Sequence, residues 1–198
     1  MTVITKKYYA LKCMKACKKA ESILREQEDQ SVIAQLARDV LKDCKAMLEL
    51  GDAQEEIYHA VNGITENLFE HPRLKLELKQ VALQAVESLE KRDQEEYEEG
   101  AELRKEIEQL KSNIQAADEG RFRDIKSDSI LKKDPIEWTK EFEAVVDKAE
   151  HRAYQQLKGV PRGMGFCFEY WAARRAALQE LGIEWRSPHE MNPRVMFD

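Results

Sequence analysis

The chain has 198 residues, of which 42% are hydrophobic and 35% are charged, and its formal net charge is −6 at pH 7. A chain of this length forms one domain or two small ones and buries a core without disulfides or metals. No apolar run approaches the roughly 20 residues that cross a bilayer, so we expect no membrane partner. The acidic balance also argues against non-specific nucleic-acid binding, because phosphate contacts need a positive surface.

The four cysteines fit a reducing compartment better than a disulfide framework. Cys13 and Cys17 are one helical turn apart, where a disulfide has poor geometry, so small core side chains are the better interpretation. The first ten residues lack the apolar segment of a secretory leader. We therefore expect a cytoplasmic protein.

The charge is unevenly distributed along the chain. Residues 1–19 hold six lysines and no acid, whereas residues 86–120 hold twelve acids and five bases. Tyr8 and Tyr9 lie among the lysines, which invites a nucleic-acid or anionic-membrane interpretation. Lysine supplies charge without base discrimination, and no helix-turn-helix signature accompanies it, so nucleic acid is not favoured. Two solvated helix faces account for the same pattern.

Apolar residues recur at helical spacing through the first 90 residues. Gly51 is typical of a helix end, Asp52 of an N-cap, and the His71-Pro72 pair separates a third helix from a fourth. The pattern predicts an antiparallel helical bundle. Its apolar positions are Cys13, Cys17, Ala20 and Leu24 in helix one (4–25); Ile33, Leu36, Val40, Cys44, Met47 and Leu48 in helix two (30–50); Ile57, Val61, Ile64 and Leu68 in helix three; and Leu74, Leu78, Val81, Ala85 and Leu89 in helix four.

A charged helix follows the bundle. Residues 90–100 are polar on all sides apart from Tyr97, and an apolar seam then returns at Leu103, Ile107, Leu110 and Ile114. The alternating steps of four and three are those of a coiled coil. Two interpretations compete: one long helix from Pro72 to about Ala117, or a hinge near Gly100. The sequence slightly favours the long helix.

The C-terminal part holds ten of the fifteen aromatic side chains. Asp134-Pro135 predicts a helix start, Gly159 a helix end, and residues 166–181 a second helix, which together form a helical hairpin. Alternating side chains at 183–185 and 195–197 predict a short extended tail, as strands or as extended chain. The fold class we expect is mainly α: bundle (1–90), long or hinged charged helix (91–120) and aromatic-rich C-terminal region (121–198).

The motifs for chemistry are weak. Glu56 and His59 have the spacing of a helical metal ligand pair, but di-metal bundles need a second copy of that motif. Cys167 follows a glycine turn at a helix start, and His151 or His189 would be its base. Its aromatic neighbours favour a buried, inert thiol. We therefore predict no catalytic residue, no metal site and no cofactor.

The glycine turn at 159–165 is the most suggestive local site. Converging backbone amides bind anions, and Arg162, Gly163, Gly165, Arg174 and Arg175 would form such a site if they face the same way. An ordinary helix-hairpin turn explains the glycines equally well.

The function that the sequence favours is partner binding without catalysis, as an adaptor, an inhibitor or a structural subunit. The candidate surfaces are the seam at Leu103, Ile107, Leu110 and Ile114 and the tail with Trp185, Arg186 and Phe197. Either a protein partner or self-association would use them. The alternatives are a nucleic-acid-associated regulator using the lysine-rich first helix, and a small enzyme binding a phosphorylated ligand near Arg162.

Overall fold

The computed structural model describes residues 5–51, 53–127 and 130–197. The expected mainly helical fold class is confirmed. Asp52, the expected N-cap of the third helix, lies outside the described residues. The helices are α1 (Lys6–Arg25), α2 (Ile33–Leu50), α3 (Gln54–Thr65), α4 (Pro72–Asp93), α5 (Glu98–Asp118), α6 (Lys140–Gln156), α7 (Phe166–Glu180) and α8 (Pro188–Met191).

The described chain divides into two compact units. The first contains the chain through Gln27 together with Val32–Lys111, and the second contains Glu28–Ser31 and the chain from Ser112 onward. The boundary therefore falls inside α5, and a short segment between α1 and α2 belongs to the second unit.

The first unit is a bundle in which α1 to α4 bury their apolar stripes against one another. Many of the buried side chains are small, so the helices approach closely. Gly63, inside α3, has the Cys17 Sγ only 3.3 Å from the position that a Cβ would occupy. The Asn62-Gly63 pair therefore does not interrupt α3, and its glycine makes room for α1. The helix ends at Thr65, and Leu68, which we expected within it, is buried in the following turn.

A corner separates α4 from α5. The helix α4 ends at Asp93 because Gln94 adopts the left-handed conformation, with φ 54° and ψ 35°. The Glu90 carboxylate then accepts a hydrogen bond from the Tyr97 backbone N–H at 3.1 Å and pairs with Arg104. Both partners hold the pKa of Glu90 below its usual value, the Arg104 bond most strongly. The long-helix interpretation is wrong, and the hinge expected near Gly100 is a break at residues 94–97.

The second unit is built around the α6–α7 hairpin. Asp134 begins a 3-10 turn at Pro135–Trp138 by accepting the Ile136 N–H, and the Thr139 hydroxyl then caps α6. The helix start predicted from Asp134-Pro135 is thus a short turn, and α6 itself begins five residues later. The core side chains of this hairpin are Phe142, Val146, Ala149, Ala177, Leu178, Ile183 and Trp185.

The C-terminal tail contains no strand among its described residues, so the strand alternative is wrong for 183–185 and 195–197. Ser187 accepts the Glu190 N–H, and Glu190 accepts the Ser187 N–H in return, which forms a capping box for the single turn of α8. Asn192 then hydrogen-bonds both the N–H and the carbonyl of Lys132. Local caps, and not cross-strand pairs, hold the tail.

None of the helices within the described ranges has both the length and the apolar character that crossing a bilayer requires.

A double-mutant experiment tests the contacts of Glu90 at the α4–α5 corner. A Cβ at Gly100 would press on the Glu90 carboxyl group, whose Cδ would lie 3.2 Å away. In a Glu90→Ala background, Gly100→Ala should stabilise the protein by up to about 1 kcal/mol, because only helix propensity remains. In the parent protein the gain should be smaller, because the new methyl displaces Glu90 from Tyr97. Urea unfolding of the four variants measures both effects, and equal effects in the two backgrounds would contradict the proposed corner contact.

Candidate interaction surfaces

The three arginines expected around the glycine turn have different surroundings. Arg162 lies over the rings of Tyr154 and Phe166, at 5.8 and 5.4 Å from their centroids. Arg174 is buried and Arg175 pairs with Glu190. The structure does not bring Arg162, Arg174 and Arg175 together at the turn, where Gly163 and Gly165 lie. Arg174 and Arg175 would not contribute to an anion bound there.

The buried arginine is the centre of a charged cluster in the second unit. Arg174 Nε lies 2.9 Å from Glu150 Oε1, and its guanidinium lies 4.6 Å from the Trp185 ring centroid and 5.9 Å from that of Phe142. The Tyr170 hydroxyl donates to the other carboxylate oxygen of Glu150. Burying a charge is expensive unless it is paired, and here the pair is completed by a hydroxyl and two aromatic rings. This arrangement joins α6 to α7 and leaves Arg174 unavailable to a ligand.

The tail residues expected to bind a partner are largely engaged within the second unit. Trp185 is only 4% exposed, and its indole N–H donates to Glu137 at 2.7 Å. Arg186 has an exposed side chain, but its backbone N–H and its guanidinium both donate to Asp134. Trp185 is thus a core residue and Arg186 anchors the tail.

Phe197 belongs to an aromatic cluster on the same unit. Its ring meets Trp171 edge to face at 5.1 Å, and Trp171 meets Phe168 at 5.5 Å. His189 lies against both phenylalanines. The side chain of Met196, next to Phe197, is 94% exposed. We call Phe168, Trp171, His189 and Phe197 the C-terminal aromatic cluster.

His151 and His189, the candidate bases for Cys167, make contacts with other side chains. His151 Nδ1 lies 2.6 Å from Asp29 Oδ2, and His189 packs between rings, so neither is placed as a base by these contacts. Cys167 is half-buried at the start of α7. Glu56 and His59 both lie exposed on α3. In the part of the chain that the structure describes, no group of three histidine, cysteine or acidic side chains is arranged to hold a metal ion.

The apolar seam of α5 is used partly inside the molecule. Leu103 joins the core of the first unit and Ile107 is also buried. Leu110 and Ile114 are half-buried. A second chain would therefore find only the later part of the seam at the surface, and self-association through it stays a prediction.

The outer face of α1 presents a different surface. We use this name for Lys7, Tyr8, Leu11, Met14, Lys15 and Lys18, which all lie exposed on one side of the helix. Tyr8 is 52% exposed, and Leu11 and Met14 are each 46% exposed. Met14 lies beside the buried stripe of α1, with its side chain exposed to solvent. The missed signal is the three-residue spacing of the three apolar side chains, which places them on one helical face.

Lys12 fixes this face on the bundle. Its ammonium group lies 2.8 Å from Asp43 of α2, whose side chain is buried. The hydrogen bond to Asp43 raises the pKa of Lys12. The same ammonium lies 5.7 Å from the Tyr8 ring centroid and 5.9 Å from that of Tyr9. Lys12 therefore holds α1 on α2 and also supports Tyr8 at the edge of the outer face.

No known protein family, curated protein or solved structure matches this chain.

The buried ion pair generates a stability prediction with a matched control. Arg174→Met should destabilise the protein by about 3 kcal/mol or more, because Glu150 is left buried without its counter-charge. The side chains of this pair are 8% and 6% exposed, whereas those of Arg152 and Glu180, which also join α6 to α7, are 39% and 70% exposed. Arg152→Met should therefore cost less than about 1 kcal/mol.

Chemical unfolding gives both values, and equal losses would contradict the role of burial. Adding Glu150→Gln to Arg174→Met should restore part of the stability, because the amide still accepts the Tyr170 hydroxyl and carries no charge.

The segment carrying Asp29 generates a pH prediction. Burial alone would raise the pKa of Asp29, but hydrogen bonds from Ser31 and His151 outweigh it and lower the pKa below 3.8. A carboxyl with a lowered pKa stabilises the folded state above its unfolded-state pKa and ceases to do so as the pH falls. Asp29→Asn should thus be less stable than the parent at neutral pH, and the difference should shrink as the pH falls through 3.8 and below.

Unfolding free energies measured from neutral to acidic pH test this. Asp39→Asn, on the exposed side of α2, is the control and should change stability little. A difference for Asp29→Asn that persists unchanged into acid would contradict the carboxylate's role.

Proposed function

We propose that this chain is a non-catalytic protein that binds a partner protein, with the outer face of α1 as its binding surface. The observation that carries the proposal is the combination of Tyr8, Leu11 and Met14, each about half exposed, with lysines on the same face. Neighbouring apolar side chains on a surface are typical of interaction sites when polar residues surround them. The lysines add electrostatic attraction for an acidic partner.

The charge of α1 supports the same proposal, because it opposes the stability of the helix. The N-terminal end of a helix carries a partial positive charge and favours acidic side chains. In α1 the first turn has no acidic residue, and Thr5 forms no side-chain cap. Six lysines instead occupy the region up to Lys19. Residues that break a local folding rule are typical of functional surfaces.

The two alternative functions explain fewer of the features of α1. A nucleic-acid-associated regulator would use the lysines but leave Leu11 and Met14 without a role, and the net charge of −6 opposes it. A small enzyme acting on a phosphorylated ligand needs arginines at the glycine turn, and Arg174 and Arg175 pair with Glu150 and Glu190 instead. An adaptor or inhibitor remains the function that we favour.

Photocrosslinking in cells tests the proposal. A benzophenone amino acid in place of Leu11 should form a covalent adduct with a partner protein, since this side chain lies at the centre of the outer face. The same amino acid in place of Leu50, which is 54% exposed at the end of α2, is the matched control and should not. Mass spectrometry then identifies the adducts.

Charge reversal gives the second arm of this experiment. Lys15→Glu together with Lys18→Glu should abolish the adduct from position 11. The matched pair Lys91→Glu and Lys105→Glu, which changes net charge equally at exposed positions of α4 and α5, should leave it intact. Adducts that form equally from both positions, or adducts with nucleic acid alone, would overturn the proposal.

A further inference from the structure

The outer face of α1 is ordered as an apolar strip framed by ammonium groups. Leu11 lies at its centre, and Lys7, Lys15 and Lys18 are four residues before it, four after it and seven after it. Helical residues at these separations lie on one face. Tyr8 and Met14 lie three residues to either side of Leu11 and extend the strip obliquely across this face, because rows of i±3 residues are inclined to the helix axis. Because 1.5 Å of rise separates successive residues, the strip spans about 9 Å of the axis.

From this order, and on the premise of the proposed function, we infer that the partner segment is an acidic amphipathic α-helix lying along α1. Such a helix places apolar side chains at i, i+3 or i+4, and i+7, which is a strip of about the same length. Its flanking carboxylates then meet Lys7 on one side and Lys15 and Lys18 on the other. Both halves of the surface, apolar and charged, are matched by one occupant.

An extended peptide fits this surface less well. Peptides that bind in extended form usually add a strand to a sheet edge, where backbone groups are unpaired. Leu11 lies inside α1, which runs from Lys6 to Arg25, and backbone groups in a helix interior are hydrogen-bonded to one another, so they offer no such edge. Side chains alone must hold the partner, and helix-on-helix packing is the arrangement that uses side chains alone.

A second copy of this chain also fits less well. Its strongest acidic segment is at residues 95–102, where Glu95, Glu96, Glu98, Glu99 and Glu102 are all exposed. Of the apolar side chains in this segment, Ala101 is exposed, whereas Tyr97 is half-buried and its hydroxyl donates to Asp93. This segment could neutralise the lysines but would leave Tyr8, Leu11 and Met14 uncovered. A partner with both glutamates and large apolar side chains is therefore required.

A peptide-binding experiment tests the inference on the full chain. The probe is a fluorescein-labelled synthetic helix of about 15 residues, a length at which helices begin to be stable in water. It carries leucines at i, i+4 and i+7 and glutamates on both flanks. Fluorescence anisotropy should show saturable binding. Lys15→Glu with Lys18→Glu should weaken the binding at least tenfold, and so should Leu11→Gln, whereas Lys91→Glu with Lys105→Glu should change it less than twofold.

Three comparison ligands decide between occupants. The same peptide with alanine in place of each leucine should bind at least tenfold more weakly, and equal binding would overturn the inference because charge alone would then suffice. Tighter binding of oligouridylate, or of vesicles containing phosphatidylserine, through the same residues would overturn it in favour of nucleic acid or membrane. Concentration-dependent dimers in light scattering that Lys15→Glu with Lys18→Glu dissolves would overturn it in favour of a second copy.

The two proposals fail separately. If the acidic helix does not bind while the benzophenone at position 11 still captures a protein in cells, the inferred partner chemistry is wrong and the proposed function stands. Thermal unfolding of each variant controls for folding, and the substituted side chains are exposed, so the fold should be retained.

Discussion

Cys17 meets Gly63 where α1 crosses α3, with 3.3 Å between its Sγ and the position of a Cβ on the glycine. At this crossing α1 turns small side chains toward the bundle. Cys13 and Ala20 are buried on that side. The large side chains of Tyr8, Leu11 and Met14 are then left facing solvent. The surface that we assign to partner binding is thus the counterpart of the way the core is packed.

The second unit solves a different packing problem. Its hairpin core includes an arginine and a glutamate, and these are tolerable there only because each has its charge matched. Trp185 covers Arg174 from the tail side, with its own N–H held by Glu137. The tail is therefore a structural part of the hairpin, and removing it would expose a charge pair that depends on low solvent access.

The fold class follows from the sequence because apolar spacing is a local property that each helix carries in its own residues. The corner at 94–97 follows less directly, since the loss of the apolar stripe there fits a hinge near Gly100 as well as a long charged helix. Its geometry depends on Glu90 reaching across to the Tyr97 N–H, and on Gly100 leaving room for that carboxylate. A side chain acting seven residues away is not visible in a periodicity. Gln94 adopts the left-handed conformation although it is not a glycine, so its residue type does not predict the helix end either.

In the tail and at the candidate sites, the direction of each side chain determines whether it is buried or available to a partner. The alternation of Ile183 and Trp185 correctly marks two buried positions but not the neighbours that bury them, so a strand and a segment packed on helices look alike. The sequence does carry the signature of the capping box, because Ser187 is followed three residues later by Glu190. For the arginines, nearness in sequence misled, because Arg174 and Arg175 are adjacent and yet one points into the core.

The segment Glu28–Ser31 is separated from most of its own unit by about eighty residues of the other. The helices α1 to α4 pack mainly on their neighbours in sequence, so their contacts can form while the chain is still being synthesised. Asp29, in contrast, meets His151 across 122 positions of sequence. Closing so long a loop costs conformational entropy before the Asp29–His151 contact can offset it, so we expect this contact to form late in folding. A ribosome that stalls before residue 151 would therefore carry a bundle whose α1–α2 connection has not yet found its partner.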